Sequence, residues 1–188
     1  MNEIKFIYHE IPKNALPFQN IIDQTKPDII YPYTNEKGFT VFYVCRWDYI
    51  DSSSGKPKKS ILPYVYGQHL NSTDAWMSKW PDFKRPLYNL EEIIRCPEKP
   101  ILIVEGEKTV EAAKHLFPNF IPTTSSGGSN AADKTDWSAL KGRTVYISYD
   151  CDEPGINYCE KVIDLLLKEN ILQIYIIKTE KLGELQCN

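Results

Sequence analysis

Three carboxylates in the second half of this chain sit where they could do chemistry together. Glu105 closes the apolar run Ile101-Leu102-Ile103-Val104, inside the string V-E-G-E-K-T. Asp150 closes the run Val145-Tyr146-Ile147-Ser148-Tyr149, inside Y-D-C-D-E-P-G, with Asp152 two residues further on. Each run has the length of a buried strand, and each leads into a segment with helical spacing. Strands that alternate with helices form parallel sheets, whose ligand crevice lies at the carboxyl ends of the strands. Glu105, Asp150 and Asp152 are therefore expected on one sheet edge. Carboxylate oxygens gathered there suit Mg²⁺ or Mn²⁺, and the chemistry implied is metal-assisted work on phosphodiesters.

The elements that must position these residues follow from period and punctuation. Glu107–Phe117 places Val110, Ala113 and Phe117 on one helical face, and Pro118 stops it. Phe120–Thr124 reads as a strand, Ser125–Asn130 as a turn, and Thr135 as the cap of a short helix to Leu140. Pro154 suits the first turn of a helix in which Cys159, Val162, Ile163 and Leu166 share a face. Asn170 is a left-handed cap, and Ile171–Lys178 is a fourth strand. Ahead of Cys96-Pro97-Glu98-Lys99-Pro100 the composition differs, for 16 of the 23 Phe, Tyr and Trp residues precede residue 100. Ile29–Tyr33 and Phe39–Tyr49 predict a hairpin around Thr34–Gly38. Ser60–Tyr66 predicts a third strand, and Leu90–Arg95 a short helix. The expected division is 1–97, a small aromatic-rich β or α+β region, and 98–188, an α/β domain.

Each candidate has a purely structural competitor. Glu105 can be an exposed strand-end acid favoured near a helix N-terminus, although a charge ending a buried strand otherwise needs a reason. Capping of the helix at Pro154 competes strongly for Glu153 and weakly for the Asp150–Asp152 pair. Lys108 can meet a substrate phosphate or simply be a solvated helix lysine. In the first half Arg46, Lys58, Lys59 and Arg85 are interleaved with Trp47, Tyr49, Tyr64, Trp80 and Tyr88. Cations among aromatics make a platform for single-stranded nucleic acid. The same aromatics can equally form the core of a small sheet.

Glu105-Gly106, Asp150-x-Asp152 and Gly155, in this order and context, resemble the TOPRIM domain of bacterial-type primases, topoisomerases and some nucleases. The wording from R-P-L-Y-N-L through V-E-G-E-K-T and S-G-G to D-x-D-E-P-G is most similar to the primase–helicase proteins of phages and plasmids. The resemblance spans Lys99 to Lys178. It implies a Rossmann-like, mostly parallel four-stranded sheet flanked by helices, with Glu105 as general acid/base or metal ligand and Asp150 and Asp152 as metal ligands. It also favours Gly127 and Gly128 as a phosphate-binding turn over a plain surface loop. The implied activity is Mg²⁺-dependent synthesis of short RNA primers from nucleoside triphosphates on single-stranded DNA, with a replicative helicase as partner. A TOPRIM nuclease and a shortened, non-catalytic binding fragment are the alternatives. The second draws on the missing zinc ribbon and on the short tail after the fourth strand.

Composition narrows the setting without choosing a partner. Of 188 residues 25% are charged and 42% hydrophobic, which suits a globular chain. No run approaches the ~18 apolar residues of a membrane helix, and M-N-E-I-K-F-I-Y-H-E lacks a signal-peptide core. Five cysteines without a C-x-x-C pair argue against a disulfide framework or zinc site and suggest a reducing cytoplasm. The net charge of −3 divides into +1 for residues 1–99 (13 basic, 12 acidic) and −4 for 100–188 (9 basic, 13 acidic). A metal bound among the acids would reverse the local sign.

Overall fold

The computed structural model describes residues 7–12, 15, 25–68, 73 and 75–177. Lys178, expected to end the last strand, and Cys187 lie outside the described residues. The chain divides into two compact units between Asp82 and Phe83.

In the first unit β1 (Ile7–His9), β2 (Ile29–Thr34), β3 (Thr40–Ile50), β4 (Pro57–Gln68) and β5 (Ala75–Met77) form one antiparallel sheet. Its order is β1-β4-β3-β2, with β5 also on β4. The expected hairpin is present, with Tyr33 opposite Phe42 and their rings stacked at 4.4 Å. Its loop is held by Asn35, whose Oδ1 accepts the N–H groups of Lys37 and Phe39, each at 3.0 Å. The third strand is also present but longer than expected, and its last residues recruit β1 and β5. Those two are three residues each, too short for a period to show in sequence. Alternation along β3 buries Phe42 and Val44 on one face, and Cys45 and Trp47 on the other. Burial pushes the Cys45 thiol up to about 12, so it stays protonated. No disulfide joins the described cysteines Cys45, Cys96, Cys151 and Cys159.

The second unit is α/β. It contains α1 (Leu90–Arg95), β6 (Ile101–Ile103), α2 (Glu107–Leu116), β7 (Ile121–Thr123), β8 (Thr144–Ser148), α3 (Glu153–Leu166) and β9 (Gln173–Ile177). All four strands are parallel, in the order β7-β6-β8-β9. Ile101, Leu102 and Ile103 are buried on both faces of β6, as an apolar central strand of a parallel sheet should be. The core adds Leu87, Ile93, Leu140, Val145, Ile147 and, from α3, Tyr158, Cys159, Val162 and Leu166. That face of α3 is the expected one, extended towards its N-terminus by Gly155 and Tyr158. Asn170 adopts the expected left-handed conformation, φ 53°.

Three details differ from expectation. Phe117 leaves the buried face of α2 and is 45% exposed, because the helix ends at Leu116 and Phe117 instead meets the Phe120 ring at 6.4 Å. Thr135 does not cap a helix to Leu140. It ends a 3-10 segment, Ser129–Lys134, and a second 3-10 turn, Ser138–Leu140, begins only after Trp137. Asp136 supplies the side-chain oxygen there, accepting the Ser138 N–H at 3.0 Å. Residues 96–100, where composition changes, are fastened to the second sheet by Arg143. Its guanidinium donates to the carbonyls of Ile93, Cys96 and Lys99 at 2.9, 2.9 and 2.7 Å.

Candidate active site

Ladder pairing in β6 stops at Ile103 and in β8 at Ser148, so Glu105 and Asp150 stand just beyond the strand ends, on one edge. They meet directly. The Asp150 N–H donates to Glu105 Oε1 at 2.7 Å, across 45 residues of sequence. Glu105 is half-buried, whereas Asp150 and Asp152 are exposed. Burial is the main cause that raises the Glu105 carboxyl above its usual range, and the negative charges of Asp150 and Asp152 add to it. The Asp150 N–H opposes them, since it favours the ionised form.

Asp152 caps α3, its Oδ1 accepting the Gly155 N–H at 2.8 Å. Capping thus falls to Asp152 and not to Glu153, which is the first helical residue. Gly155 is required by space. A Cβ there would overlap the Asp150 carbonyl oxygen and lie 2.5 Å from Glu105 Oε1. The first turn of α3 can press against both carboxylate-bearing loops only because residue 155 has no side chain. Sequence pattern pointed to Gly155 by resemblance alone, while its physical reason is this three-way contact.

Among the described residues no three His, Cys, Asp or Glu side chains form a group ready to hold a metal ion. The donor set still fits one. Glu105 and Asp152 each use one named oxygen on an N–H, leaving the second oxygen of each, and the Asp150 carboxylate is exposed. Mg²⁺ usually takes only one or two protein carboxylates and keeps water or phosphate in its other positions.

The other candidates fall in different places. Lys108 is exposed near the start of α2, and Gly127 and Gly128 are exposed in the turn after β7, on the Glu105 edge. Arg85 belongs to the same unit but is only 7% exposed. In the other unit Arg46 pairs with Asp48 at 2.7 Å and Lys58 pairs with Asp51. Lys58 lies opposite Tyr49, and Lys59 opposite Asp48, so the two lysines project to opposite faces of the sheet.

Strand order, the paired carboxylate loops and the tight glycine define an α/β domain with an acidic site at its strand ends. Residues 100–179 match the family model of the Toprim domain. No curated protein matches the chain significantly. Among solved structures it is similar to the DnaG catalytic core, at 18% identity and a TM-score of 0.44, covering 79% of this chain and 44% of that one. The E. coli primase catalytic core follows at 15% and 0.44, with the same coverage. The DnaG primase catalytic domain bound to ssDNA matches at 17% and 0.43, over 79% and 43%. The chain spans less than half the length of these proteins. No helix among the described residues is long and apolar enough to cross a membrane.

Proposed function

We propose that this chain is a primase-type nucleotidyltransferase module that builds RNA primers on single-stranded DNA from nucleoside triphosphates. The observation that carries the reading is the junction of the two acidic loops, where Glu105 is held on the Asp150 N–H at 2.7 Å. The wording R-P-L-Y-N-L to D-x-D-E-P-G favours the primase type within the Toprim family. Asp150 and Asp152 would hold Mg²⁺ or Mn²⁺, which when bound neutralises phosphate charge during in-line displacement. Glu105, its pKa raised by burial, is suited to take the proton from the attacking 3′-hydroxyl. That oxygen bonds to the α-phosphorus of the triphosphate, and pyrophosphate leaves with the electrons of the broken P–O bond. A replicative helicase, met in trans or on the same polypeptide, would supply template.

Glu105→Gln keeps size and hydrogen bonding but removes the charge. It should abolish template-dependent incorporation of labelled ribonucleotides, assayed with Mg²⁺ or Mn²⁺ and a helicase partner present. Nicking of circular DNA is scored on the same preparation. Incorporation without nicking supports the primase, and nicking without incorporation would replace it with a nuclease that uses water at the same site. A wild-type chain that does neither would leave only a binding role. Calorimetric titration with Mn²⁺ isolates the metal, because Asp150→Asn/Asp152→Asn should lose the binding. Equal binding by both proteins would remove these residues from the site.

A further inference from the structure

The parallel sheet of the second unit has two edges, and the chain treats them differently. At β7 the edge is covered. Pro122 sits in the middle of that strand, where it has no N–H to offer a partner. The segment ahead of α1 takes up the rest. The Tyr88 N–H donates to the Thr124 carbonyl at 3.0 Å, Thr123 Oγ1 to the Tyr88 carbonyl at 2.6 Å, and Asn89 Nδ2 to the Pro122 carbonyl at 3.2 Å. Ile121, Pro122 and Thr123 are all buried.

At β9 the other edge is bare. Among the described residues β8 is the only strand paired with it. From Ile171 to Ile177 the chain reads I-L-Q-I-Y-I-I, without a charge, a proline or a glycine. Leu172, Tyr175 and Ile176 are 68%, 43% and 48% exposed. Natural edges are blunted by lysine, proline or a bulge, because a flat apolar edge pairs readily with another strand. None of these devices interrupts β9, whose register with β8 runs unbroken from Gln173 to Ile177. An edge without cations does not suit nucleic acid, whose phosphates require them.

The pattern along β9 fits a second copy of itself. Tyr175 lies opposite Tyr146 with the rings stacked at 4.8 Å, and Phe120 meets Tyr146 edge-on at 5.1 Å. One face of the sheet thus carries an aromatic row that stops at Tyr175. Ile174 and Ile176 lie on the other face, in line with the buried Val145 and Ile147. We propose that the chain self-associates through β9, antiparallel about a two-fold axis at Tyr175, joining two four-stranded sheets into one. Tyr175 is the central residue of the strand, so this axis pairs all five residues. Tyr175 meets Tyr175, Ile174 meets Ile176, and Gln173 meets Ile177. Each face keeps its pattern, for the aromatic row continues across the axis and isoleucine packs on isoleucine. Such an interface closes on itself and covers both bare edges at once. Pairing over five residues is small beside a standard interface, so the dimer is weak and concentration-dependent. The inference does not draw on the phosphoryl-transfer reading.

Sedimentation velocity of the full chain over a dilution series tests this. Wild type should pass from monomer to dimer as concentration rises. Tyr175→Lys and Tyr175→Glu each set like charges opposite one another and remove the aromatic pair, so each should raise the dissociation constant about tenfold or more. Mixed in equal amounts, they set Lys against Glu and should regain a dimer that neither forms alone. Only an axis at residue 175 predicts that rescue. Hydrogen exchange on wild type needs no variant, and the amides of residues 173–177 should exchange more slowly where the dimer prevails. A wild type that stays monomeric at every concentration would overturn the proposal and leave the edge to a different chain. A dimer that Tyr175→Lys leaves intact would overturn it too, as would a mixture no more dimeric than its parts. So would a dimer whose formation leaves exchange at 173–177 unchanged.

Discussion

Glu105 is where reactivity and stability pull against each other. Its folded pKa is raised, first by burial and then by Asp150 and Asp152. An acid in that position gives its full contribution to stability below its unfolded pKa and loses it as pH rises through the folded value. Ionised Glu105 therefore weakens the fold at neutral pH. The Glu105→Gln variant should melt above wild type at pH 7, and the difference should vanish below about pH 4, where Glu105 is protonated in both states. Thermal melts of the pair across a pH series check this. Identical curves throughout would mean that the Asp150 N–H offsets the whole cost of burial. Enzymes commonly give up stability at working groups, and a gain on removing this charge would mark Glu105 as one.

Among the elements, α3 governs the site through its first turn. Pro154 marks the helix start in sequence, and the strand before it ends in acids, so the strand–acid–helix order was legible. Its boundary lies one residue earlier than Pro154 implies, and this shift moves the cap from Glu153 to Asp152. Gly155→Ala forces a methyl group onto the Asp150 carbonyl oxygen and within 2.5 Å of Glu105 Oε1. Backbone cannot yield as a flexible side chain can. The variant should lose about 1–3 kcal/mol in urea unfolding and weaken Mn²⁺ binding together with it. A variant of wild-type stability and affinity would show that α3 can shift without disturbing the acids. The basic run of the first unit carries a different lesson. Lys58 and Lys59 are adjacent in sequence, yet the pleat parts them and Asp51 engages one.

At the scale of the whole molecule, each unit has a buried cluster of its own among the described residues. The cluster of Leu87, Ile93, Ile101, Ile103, Val145, Ile147, Val162 and Leu166 is drawn entirely from residues after Asp82. Residues 83–188 produced alone should therefore unfold in a single cooperative transition, followed by circular dichroism in urea. A fragment without a transition would show that the second unit depends on the first 82 residues. The composition changes near Cys96–Pro100, whereas packing divides the chain between Asp82 and Phe83. The segment from Arg85 to Tyr88 explains the difference. It is aromatic and basic like the first half, yet it hydrogen-bonds to residues 124, 126 and 134 of the second.

By itself the sequence determined what depends on neighbours within a few residues. Apolar runs, the 3.6-residue face of α3, Asn170 and Pro154 state their local geometry, and they were enough to place Glu105 and Asp150 on one edge of a parallel sheet. The tertiary structure decided everything that depends on contacts between distant segments. It set Glu105 on the Asp150 N–H, 45 residues away, and made Gly155 a spatial necessity. It buried Arg85 and tied it to the Ser126 carbonyl and, through its backbone, to Thr135. Periodicity records which face of an element turns inward, but not which atom waits on the other side. That information exists only once the strands have paired and α3 has closed over their ends.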